Sequence, residues 1–166
     1  LFKLFSIIGF LYVVNVKGPE NIRIKATFVS NMRAIEHIGI AVNDIDEAEI
    51  TYAKLLGVSS YKRESVESEG VITSFFRVGD VKIELLAATK SDSAIAKFIE
   101  KRGEGIHHVA FNVKDTNESL SEKEKRGFIT LNKTAKEGAD NKEIAFIHPK
   151  STHGVLVEMC SDKKKE

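Results

Sequence analysis

A short pattern occurs twice in this chain. Placing His37 over His108 aligns HIGIAVNDIDEA with HVAFNVKDTNES, and four of twelve positions are identical: the histidine, Val42/Val113, Asp44/Asp115 and Glu47/Glu118. Each copy opens with apolar alternation of period two, the mark of a strand. Each aspartate then falls where a helix N-cap belongs, with the glutamate three residues on. The first helix carries Ile45, Ala48, Tyr52, Leu55 and Leu56 on one face and ends at Gly57; the second ends near Gly127. Strand-like runs follow at 58–64, 71–78 and 81–88 in the first copy and at 129–135, 143–148 and 154–160 in the second. Residues 92–102 read as a connecting helix. The unit is strand, helix, three strands, present twice, and such a duplication fixes the architecture more firmly than any one element. It predicts an α+β fold: two βαβββ modules, about 34–90 and 105–161, forming a curved mixed sheet around a cavity.

Composition narrows the function classes. Lys+Arg minus Asp+Glu is 25 − 24 = +1, which argues against a dedicated nucleic-acid binder. The single cysteine, Cys160, excludes a disulfide framework and a multi-thiolate zinc site, and fits a cytoplasmic setting. Residues 1–16 are almost wholly apolar but too short to span a bilayer, which takes about 20 residues. A breaker cluster follows at Lys17-Gly18-Pro19. We read residues 1–31 as an apolar leader outside the native domain, with Met32 as the biological start, residues 32–161 as the domain and 162–166 as a charged, solvated tail.

The duplicated unit also carries a candidate chemistry. Alternation puts His37 on one face with Gly39 and Ala41, and His108 with Ala110 and Asn112. These small neighbours leave room beside each imidazole, as a cavity wall would. The last strand of each unit holds a glutamate among apolar residues: Glu84 in VKIELL and Glu158 in GVLVEM. A carboxylate buried there needs a partner, because leaving it unpaired costs several kcal/mol. Two histidines and two glutamates, one of each per module, make an N2O2 set suited to a divalent metal. The same alternation places Glu36 on the apolar face with Ile38, Ile40 and Val42, and His107 with Val109 and Phe111, so His107 reads as structural. His148 and His153 fall in the loop before the last strand and read as contacts to substrate or solvent.

The repeated βαβββ unit resembles the vicinal oxygen chelate superfamily, which includes glyoxalase I, extradiol dioxygenases and bleomycin-resistance proteins. Within it, residues 34–160 are similar to the methylmalonyl-CoA epimerases. The segments that carry the likeness are EHIGIAVNDIDEA, GDVKIELL, DSAIAKFIEKRGEGIHHVAFNV and FIHPKSTHGVLVEM. The resemblance implies a vicinal oxygen chelate fold and metal ligands at His37, Glu84, His108 and Glu158. It implies one divalent ion, cobalt first, with manganese, zinc, nickel and magnesium as alternatives. It implies epimerisation of methylmalonyl-CoA between its (2R) and (2S) forms, with Glu158 and then Glu84 as the proton-transferring groups. Some relatives carry a further glutamate where this chain has Thr73. An acyl-CoA substrate and a homodimer are expected on the same grounds, and Lys150 is a residue that could meet the CoA phosphates. The competing readings are a glyoxalase I-like lyase, an extradiol dioxygenase and a metal-free small-molecule binding protein.

Overall fold

The computed structural model describes residues 31–163, together with the backbone of three strands before them. The chain divides into two compact units, Leu1–Asn31 and Met32–Glu166. In the first, β1 (Phe2–Ile7), β2 (Phe10–Lys17) and β3 (Asn21–Thr27) form an antiparallel sheet in that order.

The second unit is built on β4 (Met32–Ala41), α1 (Ile45–Leu56), β5 (Lys62–Val66), β6 (Val71–Val78) and β7 (Val81–Ala88). After α2 (Ala94–Arg102) the order repeats as β8 (Gly105–Val113), α3 (Thr116–Lys125), β9 (Lys136–Glu137), β10 (Lys142–Ile147) and β11 (Leu156–Asp162). A one-turn helix, η1 (Pro149–Ser151), precedes β11. All eight strands form one mixed sheet in the order β5-β6-β7-β4-β8-β11-β10-β9. Each module contributes four adjacent strands, and the halves meet where β4 pairs antiparallel with β8. Within each half the first and last strands pair in parallel, β4 with β7 and β8 with β11.

Local chemistry sets these elements where the sequence asked for them. The Asp44 side chain accepts hydrogen bonds from the backbone N–H groups of Asp46 and Glu47 at 2.8 and 3.0 Å, and Asp115 accepts one from Glu118 at 2.9 Å. Gly57 closes α1 at φ 69°, a left-handed conformation that a side chain would resist. The sheet buries apolar residues on its helix-covered face. Val42, Ile45, Phe76 and Leu85 pack with Tyr52 and Leu56 of α1, while Val113, Ala145, Val157 and Met159 pack with Leu120 of α3. The opposite face lines the cavity.

One expected strand is nearly absent. In 129–135 only Thr130 forms an isolated bridge, to Ile147, and β9 is a two-residue remnant further on. The Asn132 side chain takes the Phe146 N–H at 2.9 Å, a donor that a strand carbonyl would otherwise accept. Two backbone bonds survive, Leu131 N–H to the Phe146 carbonyl at 2.8 Å and His148 N–H to the Ile129 carbonyl at 2.7 Å, and the Asn132 side chain takes the place of the next one.

Candidate metal centre

His37 and His108 lie on the two strands that join the halves, and Glu84 and Glu158 on the strands flanking them. The registers are equivalent. Glu84 sits beside Gly39 and Glu158 beside Ala110, each two residues after its own half's histidine. Across the seam Gly39 pairs with His108 and Ala110 with His37. A small residue at each of these points lets all four side chains converge. The demand is strictest at Gly39, where an added Cβ would fall 2.2 Å from His108 Cε1.

The four side chains approach one another, and His37, His108 and Glu158 offer ligand atoms that all lie within 4.8 Å of one another. His37 Nε2 and His108 Nε2 are 2.9 Å apart. His37 Nε2 lies 3.3 Å from Glu84 and 3.8 Å from Glu158, and His108 Nε2 lies 3.5 Å from Glu84 and 3.4 Å from Glu158. Donors bound at ~2.1 Å around one ion are spaced ~3.0–3.4 Å apart, and the observed 2.9–3.8 Å brackets that spacing, so small side-chain shifts would let these groups hold a divalent cation. All four residues are buried. They stand in a cavity of about 310 Å³, within the usual range for small-ligand sites.

Two residues that alternation placed on the apolar face turn instead to the cavity. In the β4·β8 pairing, Ile35 faces Phe111 while His37 faces Ala110, so Glu36 is an extra residue on β4. Likewise Gly39 faces His108 while Ile40 faces Ile106, so His107 is extra on β8. Such bulges re-aim a side chain and break the period of two. Glu36 and His107 both line the cavity, which corrects the reading of His107 as structural. The sequence held one signal for this: a polar residue interrupts the apolar face at the same position of both repeats.

Each bulged residue holds the neighbouring imidazole. Glu36 Oε2 accepts from His37 Nδ1 at 2.5 Å, and His107 Nδ1 lies 3.0 Å from His108 Nδ1. Fixing Nδ1 leaves both Nε2 atoms for the centre, the usual supporting arrangement around metal-binding histidines. Behind Glu36 runs a charge network that reaches from the interior to the surface: buried Lys82 contacts Glu36 and lies 2.8 Å from half-buried Asp140, which also pairs with Lys62. Glu69, paired with Lys136 at 2.6 Å, lines the cavity as well. Thr73 is buried at the cavity wall and donates to the Glu64 carbonyl at 3.3 Å.

The electrostatics follow from this enclosure. Burial opposes the His37 imidazolium, but Glu84, Glu36 and Glu158 overcome it and hold its pKa up to about 9. Burial likewise opposes the Glu36 carboxylate, yet His37 and Lys82 hold it down to about 2. Burial pushes Glu158 up despite the two imidazoles, whereas for Glu84 the imidazoles win and its pKa is lowered. Burial and the nearby His108 push His107 down to about 4, so it is neutral and can accept the His108 Nδ1–H.

A family model described as the glyoxalase/bleomycin resistance protein/dioxygenase superfamily matches residues 36–146. The chain belongs to that superfamily. An uncharacterised Bacillus subtilis protein is 39% identical over 132 residues, covering 80% of this chain and 94% of the relative. Human mitochondrial methylmalonyl-CoA epimerase is 34% identical over 132 residues, 79% of this chain and 75% of its own length. A structure of Streptomyces coelicolor methylmalonyl-CoA epimerase in complex with 2-nitronate-propionyl-CoA matches with a TM-score of 0.78 at 32% identity, covering 81% of this chain and 98% of that one. Among the described residues no helix is long and apolar enough to cross a membrane.

Proposed function

We propose that the chain is an isomerase that interconverts the (2R) and (2S) forms of methylmalonyl-CoA, with residues 32–161 carrying the activity. The observation that carries this reading is the convergence of His37, Glu84, His108 and Glu158 at 2.9–3.8 Å in a superfamily member whose relatives include named methylmalonyl-CoA epimerases. Those four residues would hold one divalent ion, with cobalt the first choice by resemblance. When bound, such an ion acts as a Lewis acid toward the negative charge that a thioester oxygen gains as the α-proton leaves.

The protein groups then have to move a proton at C2. Glu158, pushed up by burial, takes the α-proton as the first base; Glu84, held in its carboxylate form by the imidazoles, serves the other face and returns a proton only after taking one from solvent. The cavity walls, including Phe75, Leu86 and Phe146, keep bulk water from the enolate. Glu84 also argues against an extradiol dioxygenase, whose two-histidine, one-carboxylate face has no use for a fourth acidic ligand. A metal-free binding protein would have no need to bury four converging ionisable groups. The same reading includes a homodimer and a reducing, cytoplasmic setting, where the buried Cys160 stays a free thiol.

The test is proton NMR of methylmalonyl-CoA in heavy water with the metal-loaded protein. Deuterium is expected to wash in at C2 and to stop on chelation. Exchange that persists after complete metal removal contradicts the proposal, and turnover of methylglyoxal with glutathione would point to the lyase.

A further inference from the structure

Two lysines press on Glu36. Lys82 and Lys142 both approach its Oε1, Lys142 at 3.6 Å, while its Oε2 holds His37 Nδ1. Two ammonium groups turned wholly to one carboxylate would compete with the imidazole for it. Each lysine is instead shared with an aspartate: Lys142 lies 2.6 Å from Asp162, and Lys82 lies 2.8 Å from Asp140. Asp162 is exposed and faces Lys142 across the β10–β11 ladder. Asp140 differs, because it comes from the half of the sheet that carries neither Lys82 nor Glu36 nor His37.

Asp140 opens the two-residue turn that joins β9 to β10. The Lys142 N–H donates to the Ala139 carbonyl at 3.2 Å, and Asp140 and Asn141 have φ of 53° and 58°. This hairpin turn requires such left-handed values, and aspartate and asparagine bear them better than most residues. Turn chemistry therefore explains an aspartate here but not its partners. β5 and β9 are the two edges of the sheet, so no ladder joins the hairpin to the first half. Across that gap the Asp140 N–H donates to Glu64 Oε2 at 3.0 Å. Its carboxylate takes Lys82 at 2.8 Å, Lys62 at 3.2 Å and the Tyr61 hydroxyl at 3.3 Å. Burial opposes that carboxylate, but Lys82 and Lys62 hold its pKa down, so it is charged at neutral pH.

We propose that Asp140 is a positioning residue for the metal centre: reaching over from the second half of the sheet, it shares Lys82 with Glu36 and so leaves the Glu36 carboxylate to hold the His37 imidazole. A buried ammonium must satisfy its donors. With Asp140 in place Lys82 divides them between two carboxylates; without it they turn to Glu36, which becomes a poorer acceptor for His37 Nδ1–H. The docking of the β9–β10 hairpin is thereby coupled to a ligand on β4. The proposal rests on the reading of His37 as a metal ligand and needs no particular substrate.

Calorimetric Co2+ titration of the full chain tests this as a double-mutant cycle. Asp140→Asn keeps the turn and removes the charge. Affinity should fall about 3–10-fold, less than for loss of the direct partner Glu36. In the Glu36→Gln background the same substitution should change affinity by less than about twofold, because the link to His37 is already cut. Asp140→Gly, which keeps the left-handed turn with no side chain, should behave alike. Lys136→Gln, which releases the hairpin's other tie, to Glu69, should stay within about twofold of wild type. The metal-free protein gives a second reading by proton NMR: the His37 Nδ1–H, bonded to Glu36 at 2.5 Å, should resonate far downfield and move upfield in Asp140→Asn. Equal losses in the two backgrounds, a matching loss in Lys136→Gln or an unmoved resonance overturns the proposal. A wild-type chain that binds no Co2+ would sink the metal reading instead, and the resonance alone would then decide the role of Asp140.

Discussion

Glu36 and His107 occupy the same place in the two halves of the sheet, each bulged out of its strand and each bonded to Nδ1 of the histidine that follows it. One half uses a carboxylate for this and the other a neutral imidazole. The pair makes the site unequal although the sheet around it is nearly symmetric.

The inequality predicts unequal losses. Glu36→Gln keeps the side chain's size but removes the charge that holds the His37 Nδ1–H. Metal affinity should fall about 10–100-fold, the usual cost of losing such a supporting group. Calorimetric metal titration measures it, and unchanged affinity would show that Glu36 only packs. Glu36→Ala should in addition destabilise the fold by ~1–3 kcal/mol, because it strips a partner from buried Lys82.

The two adjacent histidines should separate as clearly. His108→Ala removes a donor and should abolish tight metal binding. His107→Ala removes only the contact to His108 Nδ1 and should weaken binding about 10–100-fold, with Phe98 losing a ring neighbour. Abolition in His107→Ala with retention in His108→Ala would mean that the wrong imidazole has been assigned.

Much of this was legible in the sequence, and the exceptions share one cause. The repeat placed His37 and His108, and a carboxylate in each apolar strand placed Glu84 and Glu158. The capping aspartates located α1 and α3. Glu36 and His107 were assigned to the wrong face because alternation assumes an unbroken ladder, and a bulge is a property of strand pairing between residues far apart in the chain. Residues 129–135 failed in a related way. The propensity of Ile129 to Leu131 for a strand is local, whereas the capture of the Phe146 N–H by Asn132 is tertiary. The network of Lys82 with Asp140 spans 58 residues and had no local signal.

Gly39 makes a sharper test of the convergence. With an added Cβ 2.2 Å from His108 Cε1, Gly39→Ala must displace the imidazole, since the clash is with a buried ring rather than a flexible tip. The variant should lose metal binding as fully as His108→Ala. Wild-type affinity in Gly39→Ala would mean that the His108 ring does not lie over Gly39 in solution.

The elevated His37 pKa ties metal binding to pH. Its proton must leave before Nε2 can bind an ion, so affinity should drop about tenfold per unit as pH falls below about 9. Calorimetry in buffers of different ionisation enthalpy should detect a proton released on metal binding near pH 8. The same shift acts on the metal-free fold with a defined sign. A histidine raised in the folded state stabilises fully below its unfolded value of ~6.5, and that contribution is lost as pH rises toward about 9. Thermal melts of the chelated protein should therefore fall across this window, and a flat profile would contradict the assignment.

Proton transfer itself can be split by isotope. If Glu158 takes the α-proton and Glu84 delivers another, drawn from solvent, each serves one face of C2. Glu158→Gln should then slow deuterium wash-in from one stereoisomer of methylmalonyl-CoA about 10²–10⁴-fold, the usual range for losing a general base. Glu84→Gln should instead leave that wash-in nearer wild type while blocking conversion to the other isomer. Both substitutions keep an oxygen donor for the metal, and measured occupancy would separate a lost ligand from a lost base. Equal suppression of exchange from both isomers by Glu158→Gln, at full metal occupancy, would rule out one face per carboxylate and move the second transfer to another group on the cavity wall, where Glu69 is the nearest alternative by sequence to the position held by Thr73.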